Sequence, residues 1–400
     1  MRRRVEDCIF YTDEESKFRD EVREFVINKI TPKVEIIERN NDYSYIRKFI
    51  RMLGELGFLG PLHPKSYGGT ERGVLADTIV GEEISAVCFA LDLSRLASIT
   101  LCGMPIQKFG TEEQKHNYLV PLITGEKIGA IGITEPEVGS DTAGMKTHAE
   151  REGDYFIING EKRFITNGSE ADIICLFAIT TPLPKIHPKR GMSAFLVEKG
   201  LKGFYALKDY ELMGLRGTRV SHLKFENVAV PAENLLGGQE YLNRGFDILM
   251  DELNSERACI ASQGVGVGRG ALEVAVDYST ERKQFDREIR FFEGINFKIA
   301  DMATKVEASR ALTIQSARTL DLRGNEYATK IASMAKYFSC ETAVDVAIQA
   351  QQILGGIGYT KEYPVERYVR DSRLLPIGGG TTEIMQYLIQ REVYREFGHL

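Results

Sequence analysis

Hydrophobic positions change rhythm twice along this chain of 400 residues. As far as about residue 128, apolar residues recur at helical spacing. Asp13 to Ile30 reads as a charged amphipathic segment. The breaker Tyr67-Gly68-Gly69 separates it from a more apolar helix running through Leu96. Thr111-Glu112-Glu113-Gln114 predicts a helix start, with Thr111 as cap and Gln114 as its reciprocal partner. From about 129 to 240 the texture becomes short β-rich runs: IGAIGIT, YFIING, KRFIT, DIICLFAIT, SAFLVE and HLKFENVAV, punctuated by Gly, Pro, Asn and Asp. Such runs predict a compact antiparallel sheet or barrel. After Gly238 helical spacing returns. Ile295, Ile299, Met302 and Val306 share one face, and Arg323-Gly324-Asn325 marks a helix end. The fold class is α+β, with helical residues 1–128, β residues 129–240 and a helical bundle over 241–400.

Composition narrows the function. An apolar share of 43% with 27% charged residues is that of a globular protein, and a length of 400 suits two or three domains. A net charge of -6 with both signs interspersed offers no basic stripe for nucleic acid. The start MRRRVEDCIFYTDEES turns acidic before any apolar run, unlike a secretory or transit signal. No stretch approaches the roughly 20 uninterrupted apolar residues of a membrane span. The six cysteines are scattered without a C-x-x-C pair, and six histidines form no metal pattern, so a cytoplasmic protein without a metal is expected.

Three segments carry candidate chemistry. Ile133-Thr134-Glu135-Pro136-Glu137-Val138-Gly139-Ser140-Asp141 follows a strand, and its backbone N–H groups could hold a flat ring edge or a phosphate, or form an ordinary surface turn. Phe164-Ile165-Thr166-Asn167-Gly168 ends another strand, where an aromatic could cover a ring and a hydroxyl two positions on would face the same side. Glu281-Arg282-Lys283-Gln284-Phe285 follows a long helix, and Arg282 could meet a pyrophosphate or simply end that helix in solvent. The glycines of Gly264-Val265-Gly266-Val267-Gly268-Arg269-Gly270 lack both G-x-G-x-x-G spacing and a preceding strand, and close helix–helix approach explains them better.

Taken in order, GITEPEVGSD, INGEKRFITNG, GLRGTRVSHLKFENVAVPAENLLG, ERKQF, QILGGIGYTKEYPVERYVRD and GGGTTEI make the chain resemble the acyl-CoA dehydrogenase family over almost its whole length. The resemblance implies an N-terminal α-helical domain, a middle β-barrel-like domain, a C-terminal four-helix bundle and a homotetramer. It implies FAD as cofactor, an acyl-CoA substrate and an electron-transferring flavoprotein as electron acceptor. Ile133, Thr134 and Ser140 would line the flavin and the pantetheine arm. Phe164, Ile165 and Thr166 match the strand end where an aromatic covers the isoalloxazine and a hydroxyl reaches its N5. Arg282, Gln284 and Phe285, with Gln352, Gly355 and Gly356, match a grip on the FAD pyrophosphate and adenosine across a subunit contact. Thr381 and Glu383 match a further FAD-contacting turn, and Asn254 to Arg257 the helix along the CoA side, with Gly380 beside the substrate.

The departures from the family pattern concern the base first. Many members carry a catalytic Glu where this chain has Gly379; a second arrangement, of long-chain and isovaleryl type, supplies it from a helix just before an Arg. Glu256-Arg257 stands there, so the resemblance makes Glu256 the base, unless it is only a helix-surface charge. Asp286 stands where the family often has Gly, and Glu293 where it often has Gln. The Gly379 N–H would hold the thioester oxygen as it turns enolate-like, a contribution of roughly 3 to 4 kcal/mol. Burial would strengthen Glu256 as a base. Arg95, in an apolar helix, could receive a polar acyl tail as in glutaryl-type substrates, or pair with Asp92. The same machinery could run as an enoyl-CoA reductase, and an FAD-binding scaffold without catalysis is the non-enzyme alternative. The length argues against an acyl-CoA oxidase.

Overall fold

The computed structural model describes residues 9–181 and 191–399. The arginine-rich start and Cys8 lie outside the described residues. The N-terminal part contains α1 (Asp13–Phe25), α2 (Val34–Asn40), α3 (Tyr43–Glu55), α4 (Val74–Leu96), α5 (Gly103–Phe109), α6 (Glu112–Gln114) and α7 (Val120–Ile123). The expected capping box at Thr111 and Gln114 is formed, and a second one opens α1 at Thr12 and Glu15. One expectation needs amending. Val74–Phe109 is a continuous run long and apolar enough to cross a membrane by length and composition. Because 83% of its most apolar window is buried inside the protein, it is the central core helix.

Seven strands form the middle sheet: β1 (Gly129–Gly132), β2 (His148–Glu152), β3 (Tyr155–Thr166), β4 (Ile173–Ile179), β5 (Met192–Glu198), β6 (Phe204–Asp209) and β7 (Val220–Pro231). The strand order is β1-β4-β2-β3-β7-β6, with β5 on β4. The sheet is mixed, not purely antiparallel as the run pattern predicts. β1 pairs with β4 in parallel over four residues, and β2 meets β4 through the single parallel pair His148↔Ile179. Both follow one edge of β4, so the sheet curls on itself around a core containing Phe156, Phe195 and Phe225. YFIING and KRFIT are one strand, because bulges at Ile158/Gly160 and Lys162/Ile165 interrupt the alternation without ending the pairing with β7. β2 and β6 were not foreseen: β2 is poor in apolar residues, and β6, though it carries Phe204, Tyr205 and Leu207, is almost wholly exposed and lacks polar alternation.

Five helices then follow the pattern expected after Gly238, the first two joined by a short hairpin. They are α8 (Gly245–Glu281), β8 (Lys283–Gln284), β9 (Arg287–Glu288), α9 (Glu293–Arg323), α10 (Thr329–Leu354), α11 (Val365–Ser372) and α12 (Thr382–Glu396). α8 packs against both α4 and α10, and its glycines are the reason it can. A Cβ on Gly266 would lie 2.5 Å from the Glu82 carbonyl oxygen, one on Gly270 2.3 Å from that of Ala86, and one on Gly264 2.8 Å from that of Ser339. The obstacles are backbone and cannot step aside. Gly266→Leu is therefore expected to cost about 3 kcal/mol or more of stability, read as a lowered urea midpoint. Gly294→Ala, in open space on α9, should change that midpoint little or raise it slightly.

Candidate active site

Glu256 lies in the first third of α8, whose Leu249, Ala258 and Cys259 face the core and hold this turn of helix inside the protein. Its carboxyl is 8% exposed and accepts no hydrogen bond from the described residues. Burial pushes this carboxyl above the ordinary carboxylate range, while Arg257 and Lys336 pull it back. Opposite it stands the turn Pro376–Gly380, at the end of which α12 begins under the Thr381 cap. Gly379 has φ +63°, and a Cβ there would sit 2.1 Å from Ile260 Cδ1 and 3.0 Å from Glu256 Oε1. A side chain at 379 would be strained by the positive φ and would force Ile260 and Glu256 to shift. The Gly379 N–H has no backbone partner among the described residues, whereas those of Ile377 and Gly378 both donate to Leu374. A buried carboxyl thus adjoins a turn whose Gly379 N–H is unbonded among the described residues. That pair can take a proton from a carbon and stabilise the negative charge appearing on an adjacent oxygen.

The loop after β1 is braced from below. Glu135, 5% exposed, accepts the N–H groups of Lys146 (2.7 Å) and Thr147 (2.9 Å) and the Lys162 ammonium (2.8 Å). Lys162 also donates to the Ile133 carbonyl at 3.1 Å, and Arg163 N–H to that of Thr134 at 2.8 Å. Ile133 and Thr134 are thereby set beside the end of β3, with Ser140 exposed further along the loop. The β3 bulge leaves Phe164 in a left-handed conformation (φ +58°) and 58% exposed, its ring 4.9 Å from that of Tyr210. A bulky residue held at positive φ is strained backbone, and here it lifts an aromatic face out of the sheet. Thr166 is half-buried beside it, while the Ile165 side chain belongs to the sheet core, so only its backbone can face a ligand.

Asn167 was missed as a functional anchor. Fully buried with φ +65°, it donates to the carbonyls of Ser94 (2.8 Å) and Gly129 (3.1 Å) and accepts from Tyr43 Oη (3.0 Å). It ties the end of β3 to α3, α4 and β1. The only sequence signal was an Asn ending a strand before Gly, a residue that tolerates left-handed backbone.

A second site lies on the C-terminal helices. An open groove of about 930 Å³ is lined by Arg282, Gln284 and Phe285 on one side and Gly355 and Gly356 on the other. Five of the predicted cofactor residues, 70 positions apart in sequence, thus come together. The hairpin turn between β8 and β9 places both Phe285 (φ +51°) and Asp286 (φ +61°) in left-handed conformations. Gly takes this freely and Asp tolerates it, which accounts for Asp286. Gln352 and Glu383 are exposed and Thr381 is half-buried, and all three lie outside this groove.

Arg95 is a correction. It is fully enclosed, donating to Asp92 Oδ1 at 2.6 Å and to Asp77 Oδ1 at 2.6 Å, while Gln263 donates to Asp92 Oδ2 at 2.7 Å. Two carboxylates already occupy it, so it cannot receive an acyl tail; the pairing with Asp92 is the alternative that stands. Asn254 is likewise engaged within the protein, by Asn325, Thr329 and Arg257. Arg257, 6% exposed, keeps an Nε without a partner. Gly380 (φ +91°) closes the turn, on the side that packs toward Met385.

Three family models divide the chain among them: acyl-CoA dehydrogenase N-terminal domain over residues 12–126, middle domain over 130–228 and C-terminal domain over 243–394. The chain belongs to the acyl-CoA dehydrogenase family. It is 40% identical over 384 residues to the short-chain-specific acyl-CoA dehydrogenase of Clostridium acetobutylicum, covering 96% of this chain and 99% of that one. It is 38% identical to the CarC subunit of the caffeyl-CoA reductase-Etf complex of Acetobacterium woodii, covering 95% and 98%. The structure of an acyl-CoA dehydrogenase from Bacillus anthracis complexed with FAD superposes with a TM-score of 0.88 at 30% identity, covering 98% of this chain and 68% of that one.

Removing the enclosed Arg95 should be costly. Arg95→Leu is expected to lose about 3 to 5 kcal/mol by stranding Asp77 and Asp92, seen as a depressed thermal midpoint. An unaltered midpoint with a changed acyl-chain preference would restore the discarded role.

Proposed function

We propose that this chain is an FAD-dependent acyl-CoA dehydrogenase in which Glu256 removes the α-proton and the Gly379 N–H holds the thioester oxygen. The observation that carries the reading is the buried Glu256 carboxyl against a turn whose positive φ and close contact with Ile260 and Glu256 favour glycine at 379. Residues present suit the cofactor. The raised Phe164 ring, half-buried Thr166 and the braced loop at Ile133 and Thr134 offer a face and polar edge to an isoalloxazine. Arg282, Gln284, Phe285, Gly355 and Gly356 offer a guanidinium and a glycine-open wall for the pyrophosphate and adenosine, in a groove that Glu281 and Glu362 also line. When bound, FAD supplies the acceptor for the β-hydride.

The protein's own part is positional and electrostatic. Glu256 must be ionised to accept the proton. Burial opposes ionisation and so raises its basicity, while Arg257 and Lys336 keep the charged form accessible. The free Gly379 N–H stands ready before reaction, so little reorganisation is needed as charge moves onto the oxygen. Arg257, with an unpartnered Nε, is the candidate contact toward CoA, and Asn254 orients it through a 2.7 Å hydrogen bond.

The groove predicts assembly. Phe285, which lines it, stands 88% exposed beside the apolar Ile357 and Phe292, apolar surface that a monomer would leave in water. We assign it to a second copy of this chain within a homotetramer. An electron-transferring flavoprotein is the proposed acceptor, supported by the relative that works as a reductase-Etf complex. That relative also runs toward reduction, so direction is tested by supplying acyl-CoA with acceptor against enoyl-CoA with reduced donor.

Two outcomes test the base. Glu256→Gln should keep the yellow FAD chromophore yet bleach with acyl-CoA at least about 10³-fold more slowly; undiminished bleaching overturns the assignment. In the wild type, flavin reduction should rise with pH through an acid limb above the ordinary carboxylate value, because only the deprotonated carboxyl is a base and burial raises its pKa.

A further inference from the structure

The turn that carries the Gly379 N–H has three successive glycines, Gly378 to Gly380, and so almost no side chain with which to anchor itself. Its anchor comes from α10. Lys336 is 1% exposed, and its Nζ donates to the Leu375 carbonyl at 3.2 Å and to the Gly380 carbonyl. The two acceptors bracket the turn, one at each end. The same ammonium acts electrostatically on Glu256 across the gap between α10 and α8. Burying an ammonium is expensive, and an unbranched apolar side chain would fill the same channel without that cost. A cation here therefore has a use that only charge and hydrogen-bond donation can meet.

Resting on the base assignment above, we propose that Lys336 is a positioning residue of the active site, holding the Gly379 turn against the substrate carbonyl and setting its positive charge at the turn that adjoins Glu256. The groups facing Glu256 come from each element around it. α8 contributes Arg257 and, one turn before the base, the buried Glu252. α10 contributes Lys336, with Cys340 and Glu341 beside it. α12 brings Arg391 toward Arg257, and the turn 376–380 has no titratable side chain. Lys336 alone among these both touches the turn and acts on the base.

The two roles separate experimentally. Anaerobic reduction of the FAD-loaded enzyme by acyl-CoA is followed across pH for wild type, Lys336→Met, Lys336→Gln and Lys336→Arg. Lys336→Met should lower the plateau rate about tenfold or more and move the acid limb upward by about half a pH unit or more. Lys336→Gln keeps an N–H donor, so it should recover part of the plateau while retaining the displaced limb. Lys336→Arg keeps the charge and should leave the limb at the wild-type position. Variants that hold FAD, lose rate and leave the limb unmoved would overturn the proposal, as would wild-type behaviour in both respects. If Lys336→Met and Lys336→Gln fail to retain FAD, a limb displaced in Lys336→Arg overturns it and an unmoved one supports it. Wild type that does not bleach at all would instead remove the base assignment.

Discussion

One small volume governs this protein's chemistry, and it admits one acidic side chain. The Glu256 carboxyl and the Gly379 backbone lie so close that any Cβ at 379 would press on Ile260 and on the carboxyl itself. Glycine at 379 also answers the positive φ that brings the turn round to face α8. The choice of base and the shape of the turn are thus a single constraint. Moving the carboxylate to α8 frees the turn to be glycine-rich, and a glycine-rich turn needs an outside anchor.

Charges buried elsewhere keep that volume in place. Arg95 with Asp77, Asp92 and Gln263 locks α4 to α8. Glu82 and Glu83 on α4 pair with Arg310 on α9, Arg269 on α8 and Arg23 on α1. Buried pairs of this kind add modest net stability but penalise sliding, since any shift strands a charge. With glycine contacts that bring α8 against α4 and α10 backbone to backbone, they leave the helix carrying Glu256 little freedom. Asn167 extends the same rigidity into the sheet by tying the end of β3 to the helical part.

Much was legible in the sequence. Period and punctuation revealed the α–β–α order, the capping box at Thr111 and the packing role of the glycines from Gly264 to Gly270, because each is local or nearly so. Less legible was the sheet. The bulges that fuse two runs into β3 depend on pairing with β7, and the parallel contact of β1 with β4 depends on a curl that no single strand encodes. Arg95 shows the limit plainly: an Arg in an apolar helix has no readable destination until Asp77, eighteen residues earlier, is seen beside it.

The sequence by itself determined which residues could act: a Glu before an Arg on a long helix, a turn of glycines, an aromatic and a hydroxyl ending a strand. Those are statements of chemical type and local spacing, which the chain carries at every position. Tertiary structure alone decided that Glu256 meets Gly379, that Phe164 is lifted outward while Ile165 turns in, and that Lys336 reaches both ends of the glycine turn. Those depend on distances between segments 40 to 120 residues apart, and only close packing sets such distances.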